Sequence, residues 1–301
     1  MEKKTTVFCC LKEYNGLRAD VLLGKISPLS RSQIENKIKN SLILLNEKVI
    51  EKKSQRIMTG DILEILPDIK QEKKQNDDFL VDILFEHDDF LIINKPAGIV
   101  SHLPTDKNYH EPTLVDFASQ FWYGPIREEF LKRKGIVHRL DKETSGVMIL
   151  AKNQYAMDYF LLQFKLRKVK KEYLAFTEKN EKVPLFGRVT YNVMRDPCCP
   201  IKMTHAVGQG KEAETLYEVI QKKEHFFLIK CSPLSGRTHQ IRVHLSAIGL
   251  PIIGDKIYGK SSSLIKRCAL HASKIEFVYE NTLYSFKASF DPGLENLLEF
   301  Y

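Results

Sequence analysis

Two hydrophobic periods divide the chain. Ile34 and Ile38 lie four residues apart in SRSQIENKIKN (30–40). That spacing predicts a short helix with both isoleucines inward, Arg31, Lys37 and Lys39 outward, and Ser30 or Ser32 as cap. Residues 43–50 predict two short strands around a turn at Asn46 and Glu47, and Gly60 and Asp61 turn the chain into a further strand at 62–66. Farther along, the runs 90–93 and 147–151 are short and continuously apolar, as in strands covered on both faces. Residues 171–176 alternate like an edge strand, and 214–220 and 226–231 predict more strands. Two helices are predicted in this region. One spans 154–168, capped by Asn153, with Tyr155, Tyr159, Leu162 and Leu166 on its core face. The other spans 238–248 and is stopped by Gly249 and Pro251.

Many strands, few helices and no Gly-rich phosphate loop exclude a doubly wound nucleotide-binding layout. The expected class is α+β, a mixed and mainly antiparallel sheet with flanking helices. Residues 67–78 (PDIKQEKKQNDD) are polar, charged and aperiodic, as a linker is. The organisation expected is a small α/β module at 1–70, a linker at 71–80 and a larger domain at 81–301.

Charge sharpens this picture. The 301 residues carry a formal net charge of +8, which favours a polyanionic partner. Residues 1–75 hold 15 Lys/Arg against 10 Asp/Glu, so five of the eight net charges sit in a quarter of the chain. No apolar stretch is long enough for a signal peptide or a membrane span, so a cytoplasmic protein without membrane contact is expected. The six cysteines include the adjacent pairs Cys9-Cys10 and Cys198-Cys199 but no zinc-type spacing. Structural thiols and no metal are expected.

The chemistry centres on Asp141. It follows His138 and Arg139, whose charges would favour its ionised form, and precedes the apolar run 147–151. A rigid strand would thus hold a carboxylate at the edge of a cleft.

The block HRLDKETSG (138–146) resembles the signature of the RluA-type pseudouridine synthases, which isomerise uridine to pseudouridine in RNA. FLIINKPAGIVSH (90–102), KEY (171–173), SGRTHQIRVHL (235–245), PIIGDKIYG (251–259) and LHA (270–272) follow the same family pattern in the same order. The resemblance implies Asp141 as nucleophile and Arg237 as its ion partner. It implies Tyr173 as the ring that stacks on the uracil, and Arg139 as the side chain filling the space left when the base flips out. Gly254, Asp255, Tyr258 and His271 are architectural in that family. Between Arg195 and Met203 the family's run of basic residues is replaced by Cys198, Cys199, Pro200 and Ile201, which weakens the expected phosphate contacts there. The N-terminal segment resembles the small RNA-binding domain named after ribosomal protein S four. Arg31, Ser32, Gln33, Lys37 and Lys39 are its candidate RNA contacts.

The implied activity is isomerisation of uridines, with 23S-type large-subunit ribosomal RNA as the expected target, by a monomer needing neither cofactor nor metal. The carboxylate could attack the ribose carbon, attack the uracil ring, or remove a ribose proton, and the sequence does not choose among these. Rival readings are a non-catalytic RNA-binding or ribosome-assembly factor, the same enzyme acting on tRNA, and a base-removing glycosidase. The glycosidase would want a second acid, and only Glu143 accompanies Asp141 in the block.

Overall fold

The computed structural model describes residues 6–27, 29, 31–39, 42–50, 52–66, 81–101, 111–123, 133–199 and 201–300. Two compact units are present, one built from Met1–Asn76 and the other holding nearly everything from Asp77 onward.

In the first unit β1 (Thr6–Cys9), β2 (Ile43–Leu45), β3 (Lys48–Val49) and β4 (Ile62–Ile65) form an antiparallel sheet ordered β1-β4-β2-β3. Helices α1 (Ala19–Ile26) and α2 (Arg31–Lys39) contribute Leu22, Leu23, Ile34 and Ile38 to one core with Ile43, Leu63 and Ile65. The turn forms as its sequence predicts: Asn46 and Glu47 both have positive φ, 50° and 68°, which suits the tight connection between twisted strands. The Asn46 side chain also donates from Nδ2 to Asp61 Oδ1 at 2.8 Å, tying this turn to the start of β4.

Among the described residues, nine strands form the main sheet of the second unit. They are β5 (Asp82–Glu86), β6 (Phe90–Lys95), β7 (Ser145–Ala151), β8 (Lys170–Glu178), β9 (Phe186–Val189), β12 (Thr215–Lys222), β13 (Phe226–Pro233), β14 (Leu270–Tyr279) and β15 (Thr282–Lys287). The order is β5-β6-β7-β14-β8-β13-β12-β9, with β15 also paired to β14. β7 and β14 pair in parallel, and the other described pairs are antiparallel. Strands β10 (Asn192–Arg195) and β11 (Met203–Ala206) form a separate antiparallel hairpin. Among the described residues the unit also has helices α3 (Leu114–Ser119), α4 (Gln154–Lys165), α5 (Gln240–Ala247) and α6 (Pro292–Phe300). The α+β class with a mainly antiparallel sheet is thus the observed one.

Two expectations need correction. Strand β8 is central, flanked by β14 and β13, and not an edge; its alternation reflects two differently packed faces. On α4 the buried stripe is Ala156, Met157 and Phe160, whereas Tyr155, Leu162 and Leu166 are exposed. The small Ala156 lets the helix approach the sheet closely, and Phe160 then stacks on Tyr279 at 5.4 Å between ring centres. The Asn153 cap is present, its side chain accepting from the Ala156 amide at 2.9 Å.

The parallel β7–β14 pair brings the backbones together at Gly146, where φ is 118° and a Cβ would collide with the Ala272 backbone. Both the φ and the space demand glycine. Gly146→Ala is therefore expected to lower unfolding stability by about 3 kcal/mol or more, measured by denaturant titration.

Candidate active site

Asp141 lies on a segment that runs beside β7 before the chain turns into that strand. An isolated bridge pairs Ile136 with Leu150, and His138 Nε2 accepts the Ile149 amide at 2.9 Å. His138 therefore completes the strand edge instead of offering a positive charge to Asp141. Its ring stacks on Phe164 at 4.6 Å. Burial, helped by the charge of Lys171, pushes its pKa down to about 3, so it is neutral at physiological pH. This corrects the expectation that His138 favours the ionised carboxylate.

A second loop clamps the backbone around Asp141. Ser101 Oγ donates to Leu140 O at 2.9 Å, and the Gly98 amide donates to Lys142 O at 2.7 Å. Lys95, fully buried, sends its ammonium to Pro96 O at 2.8 Å, Ile99 O at 3.0 Å and Lys142 O at 3.4 Å. Three carbonyls match the three donors of an ammonium group. Burial nevertheless pulls its pKa down to about 7, opposed by the charge of Asp141. From the far side, Arg267 Nη1 donates to Glu143 O at 3.1 Å while its Nη2 pairs with Asp291, just before α6.

The guanidinium beside Asp141 belongs to Arg242, whose Nη1 is 3.4 Å from Asp141 Oδ2. Arg237, the arginine expected there, instead donates from Nε to Glu212 O at 3.0 Å. The reason is local. Gln240 starts α5, and its side chain accepts from Ser235 Oγ at 2.7 Å and from the Arg237 amide at 3.0 Å. Arg237 is thereby fixed in the turn before the helix, and Arg242 is carried inward on the first helical turn. His239 Nε2 also faces Asp141 Oδ2, at 3.8 Å. His239 and Arg242 are three residues apart, the spacing that shares a helix face, and this was the available signal in HQIR.

Arg242 is itself held by a two-pronged pair with Asp255, Nε to Oδ2 and Nη2 to Oδ1, both at 2.8 Å. The Asp255 side chain has no exposed surface and that of Arg242 only 5%. Asp255 also accepts the amides of Ile257 and Tyr258 at 3.0 and 3.1 Å. Burial would raise the Asp255 carboxyl, but Arg242 and these amides outweigh it and hold it below its ordinary value. Arg242 also packs over the Tyr258 ring, 5.0 Å from its centre. Asp255 and Tyr258, expected to be architectural, thus act on the group that faces Asp141.

Tyr173 lies on central β8, 9% exposed. Burial first, and then the charge of Asp141, raise its phenol far above the ordinary value, so it stays protonated and can donate but not act as a base. On the same strand face, Lys171 Nζ reaches Ser235 O at 3.2 Å, with burial lowering its pKa to about 8. Arg139 is exposed. His244 is used structurally, between Thr215 Oγ1 at 3.0 Å and Tyr191 O at 2.8 Å. In the first unit Gln33 is exposed, and Lys37 Nζ donates to Leu66 O at 3.1 Å. The side chains of Arg31, Ser32 and Lys39, and residue Ser30, lie outside the described residues. Among the described residues no three His, Cys, Asp or Glu side chains form a metal-binding group, and no helix is long and apolar enough to cross a membrane.

Residues 89–247 match the family described as RNA pseudouridylate synthase. A ribosomal large subunit pseudouridine synthase D of Neisseria meningitidis serogroup A is 33% identical over 302 residues, covering 95% of this chain and 79% of that protein. A protein of the same name from Borreliella burgdorferi is 32% identical over 289 residues, covering 92% and 87%. Among solved structures, human RNA pseudouridylate synthase domain containing 4 aligns with a TM-score of 0.56 at 24% identity, covering 72% of this chain and 91% of that one. At that identity the likeness concerns the fold.

Two outcomes are expected from this geometry. Arg242→Gln strands a buried Asp255 and should cost about 3–5 kcal/mol in urea unfolding. Arg237→Gln, at a partly exposed position, should cost under about 1 kcal/mol in the same measurement. His138 gives a pH signature. Its imidazole takes up a proton near 6.5 when unfolded but only near 3 when folded. The unfolded chain thus binds the extra proton between those values, and stability falls as pH drops through that window. His138→Gln should flatten that part of the stability profile; an unchanged slope would remove His138 as its source.

Proposed function

The chain belongs to the RNA pseudouridylate synthase family, and from that premise we propose that it isomerises uridines of large-subunit ribosomal RNA with Asp141 as nucleophile. The observation that carries the residue assignment is the carboxylate of Asp141, 18% exposed, backed by a buried Arg242 that Asp255 orients. A carboxylate in that setting remains reachable by substrate while a fixed guanidinium beside it restricts its orientation. The ribosomal target rests on the names of the two bacterial relatives, each matched over most of its length.

In this reading the uracil leaves the ribose, turns and rejoins through its carbon five, with no redox change and no added atoms. Asp141 supplies the nucleophile, and Arg242 takes the role of ion partner first given to Arg237. Tyr173 supplies a ring for the uracil and, because its phenol stays protonated, a hydrogen-bond donor. Arg139, exposed two residues before Asp141, fits the role of filling the emptied stack. The N-terminal module, 1–70, is read as an RNA-binding domain joined through 71–80 to a catalytic domain at 81–301. Gln33 is the most exposed of its candidate contacts that can be placed, since Lys37 already reaches Leu66. The chain is read as a cytoplasmic monomer that needs no cofactor.

Incubation with a large-subunit ribosomal RNA transcript should yield pseudouridine with no change of mass and no free uracil. Asp141→Asn should abolish conversion while RNA affinity stays within about threefold. Release of uracil would make the protein a glycosidase, and unaltered RNA would make it a binder. Conversion of tRNA but not ribosomal RNA would overturn the target, and normal turnover by the Asn variant would overturn the nucleophile.

A further inference from the structure

Between the β10–β11 hairpin and Asp141 stands one tyrosine that touches both sides. The Met203 amide, at the start of β11, donates to Tyr258 Oη at 2.7 Å, and Lys202 Nζ sits 5.8 Å from the centre of the Tyr258 ring. On the opposite side Tyr258 Oη is 2.8 Å from His239 Nδ1, and Arg242 packs over the same ring at 5.0 Å. His239 Nε2 then faces Asp141 Oδ2 at 3.8 Å.

Hydrogen-bond accounting gives this chain a direction. A tyrosine hydroxyl has one proton and two lone pairs, and the Met203 amide occupies a lone pair. The imidazole is neutral, because burial and the charges of Arg242 and Arg139 lower its pKa against the opposing charges of Asp141 and Asp255. A neutral ring carries one proton. With that proton on Nδ1, the lone pair of Nε2 would point at the Asp141 carboxylate. With it on Nε2, the ring presents N–H to Asp141 and accepts from Tyr258. Electrostatics selects the second arrangement.

His239 also has φ 55°, a left-handed conformation at the N-terminal cap of α5. For a residue other than glycine such a backbone is sparsely populated and persists where the surroundings impose it. The distance of 3.8 Å is just beyond a hydrogen bond, so a shift of under about 1 Å would close it. The hairpin that holds the other end of the chain keeps Arg195 and Lys202, with Lys211 just beyond it, against Asp196 within residues 192–211, so it retains positive charge for phosphate even though its run of basic residues is shorter than the family pattern.

We propose that Tyr258 and His239 form a hydrogen-bonded strut between the β10–β11 hairpin and Asp141, through which RNA seated on the hairpin positions the catalytic carboxylate. Both are positioning residues: they act through Asp141. The inference rests on the isomerase assignment of Asp141 above, and its test has an arm that does not.

Tyr258→Phe keeps the ring, with its Lys202 and Arg242 contacts, and removes only the hydroxyl. At saturating transcript, its single-turnover rate should fall about tenfold with RNA affinity unchanged within about twofold. His239→Asn, a residue that tolerates positive φ, should fall similarly, and the double variant little further. Nitrogen chemical shifts of the labelled His239 ring should report the Nε2–H form in the unaltered protein and a mixture of both forms in Tyr258→Phe. That arm needs no turnover, so an unaltered protein with the Nε2–H form but no conversion would count against the isomerase reading and in favour of the strut. An Nδ1–H ring in the unaltered protein, or a Tyr258→Phe rate equal to its parent's, would overturn the strut.

Discussion

A carboxylate and a guanidinium buried together, Asp255 and Arg242, set the terms for everything around Asp141. Neither group tolerates burial alone, and each removes the penalty on the other. Asp255 occupies two guanidinium nitrogens and leaves Nη1 toward Asp141. The planar fork thereby aims the remaining donor in a fixed direction, which a lysine ammonium could not do. Pairing with Asp255 thus makes Arg242 a rigid neighbour of Asp141.

The loop bearing Asp141 is rigid for a second reason. Its carbonyls at Leu140, Lys142 and Glu143 accept from Ser101, Gly98, Lys95 and Arg267, groups from both ends of the second unit. A turn without strand partners would ordinarily leave such carbonyls to water. Here side chains and a neighbouring turn take the place of a sheet ladder, so the backbone at Asp141 is held much as a strand residue is while its side chain stays reachable.

Much of this was legible in the sequence, for reasons that vary by residue. Continuous apolar runs located β6 and β7 because both faces of those strands are covered, and Asn46 marked its hairpin because few residues accept positive φ. Asp141 and Tyr173 were singled out through local motifs, as the residues whose roles are proposed above. What escaped was long-range. The choice between Arg237 and Arg242 depends on where α5 begins, which is decided by the Gln240 side chain reaching back to Ser235 and Arg237. The part played by Asp255 depends on a segment that meets α5 only after the chain has turned at Gly249 and Pro251. The core face of α4 was misread by one position because two apolar stripes overlap on that helix; both reach Tyr279, and it is the further packing of Phe160 on Phe90 and Phe277 that places its stripe in the core.

The parallel pairing of β7 with β14 carries a consequence for how the protein comes into being. Ser145 lies opposite His271, so the strand that follows Asp141 gains this neighbour only after some 126 further residues have been made. Arg242, Asp255 and Arg267 arrive late as well. A chain emerging from the ribosome therefore exposes the apolar faces of β6 and β7 long before their sheet can close, and non-local pairing of this kind is slow. Activity is a property of the finished chain, and the interval before β14 docks is when the nascent protein has most need of protection from aggregation.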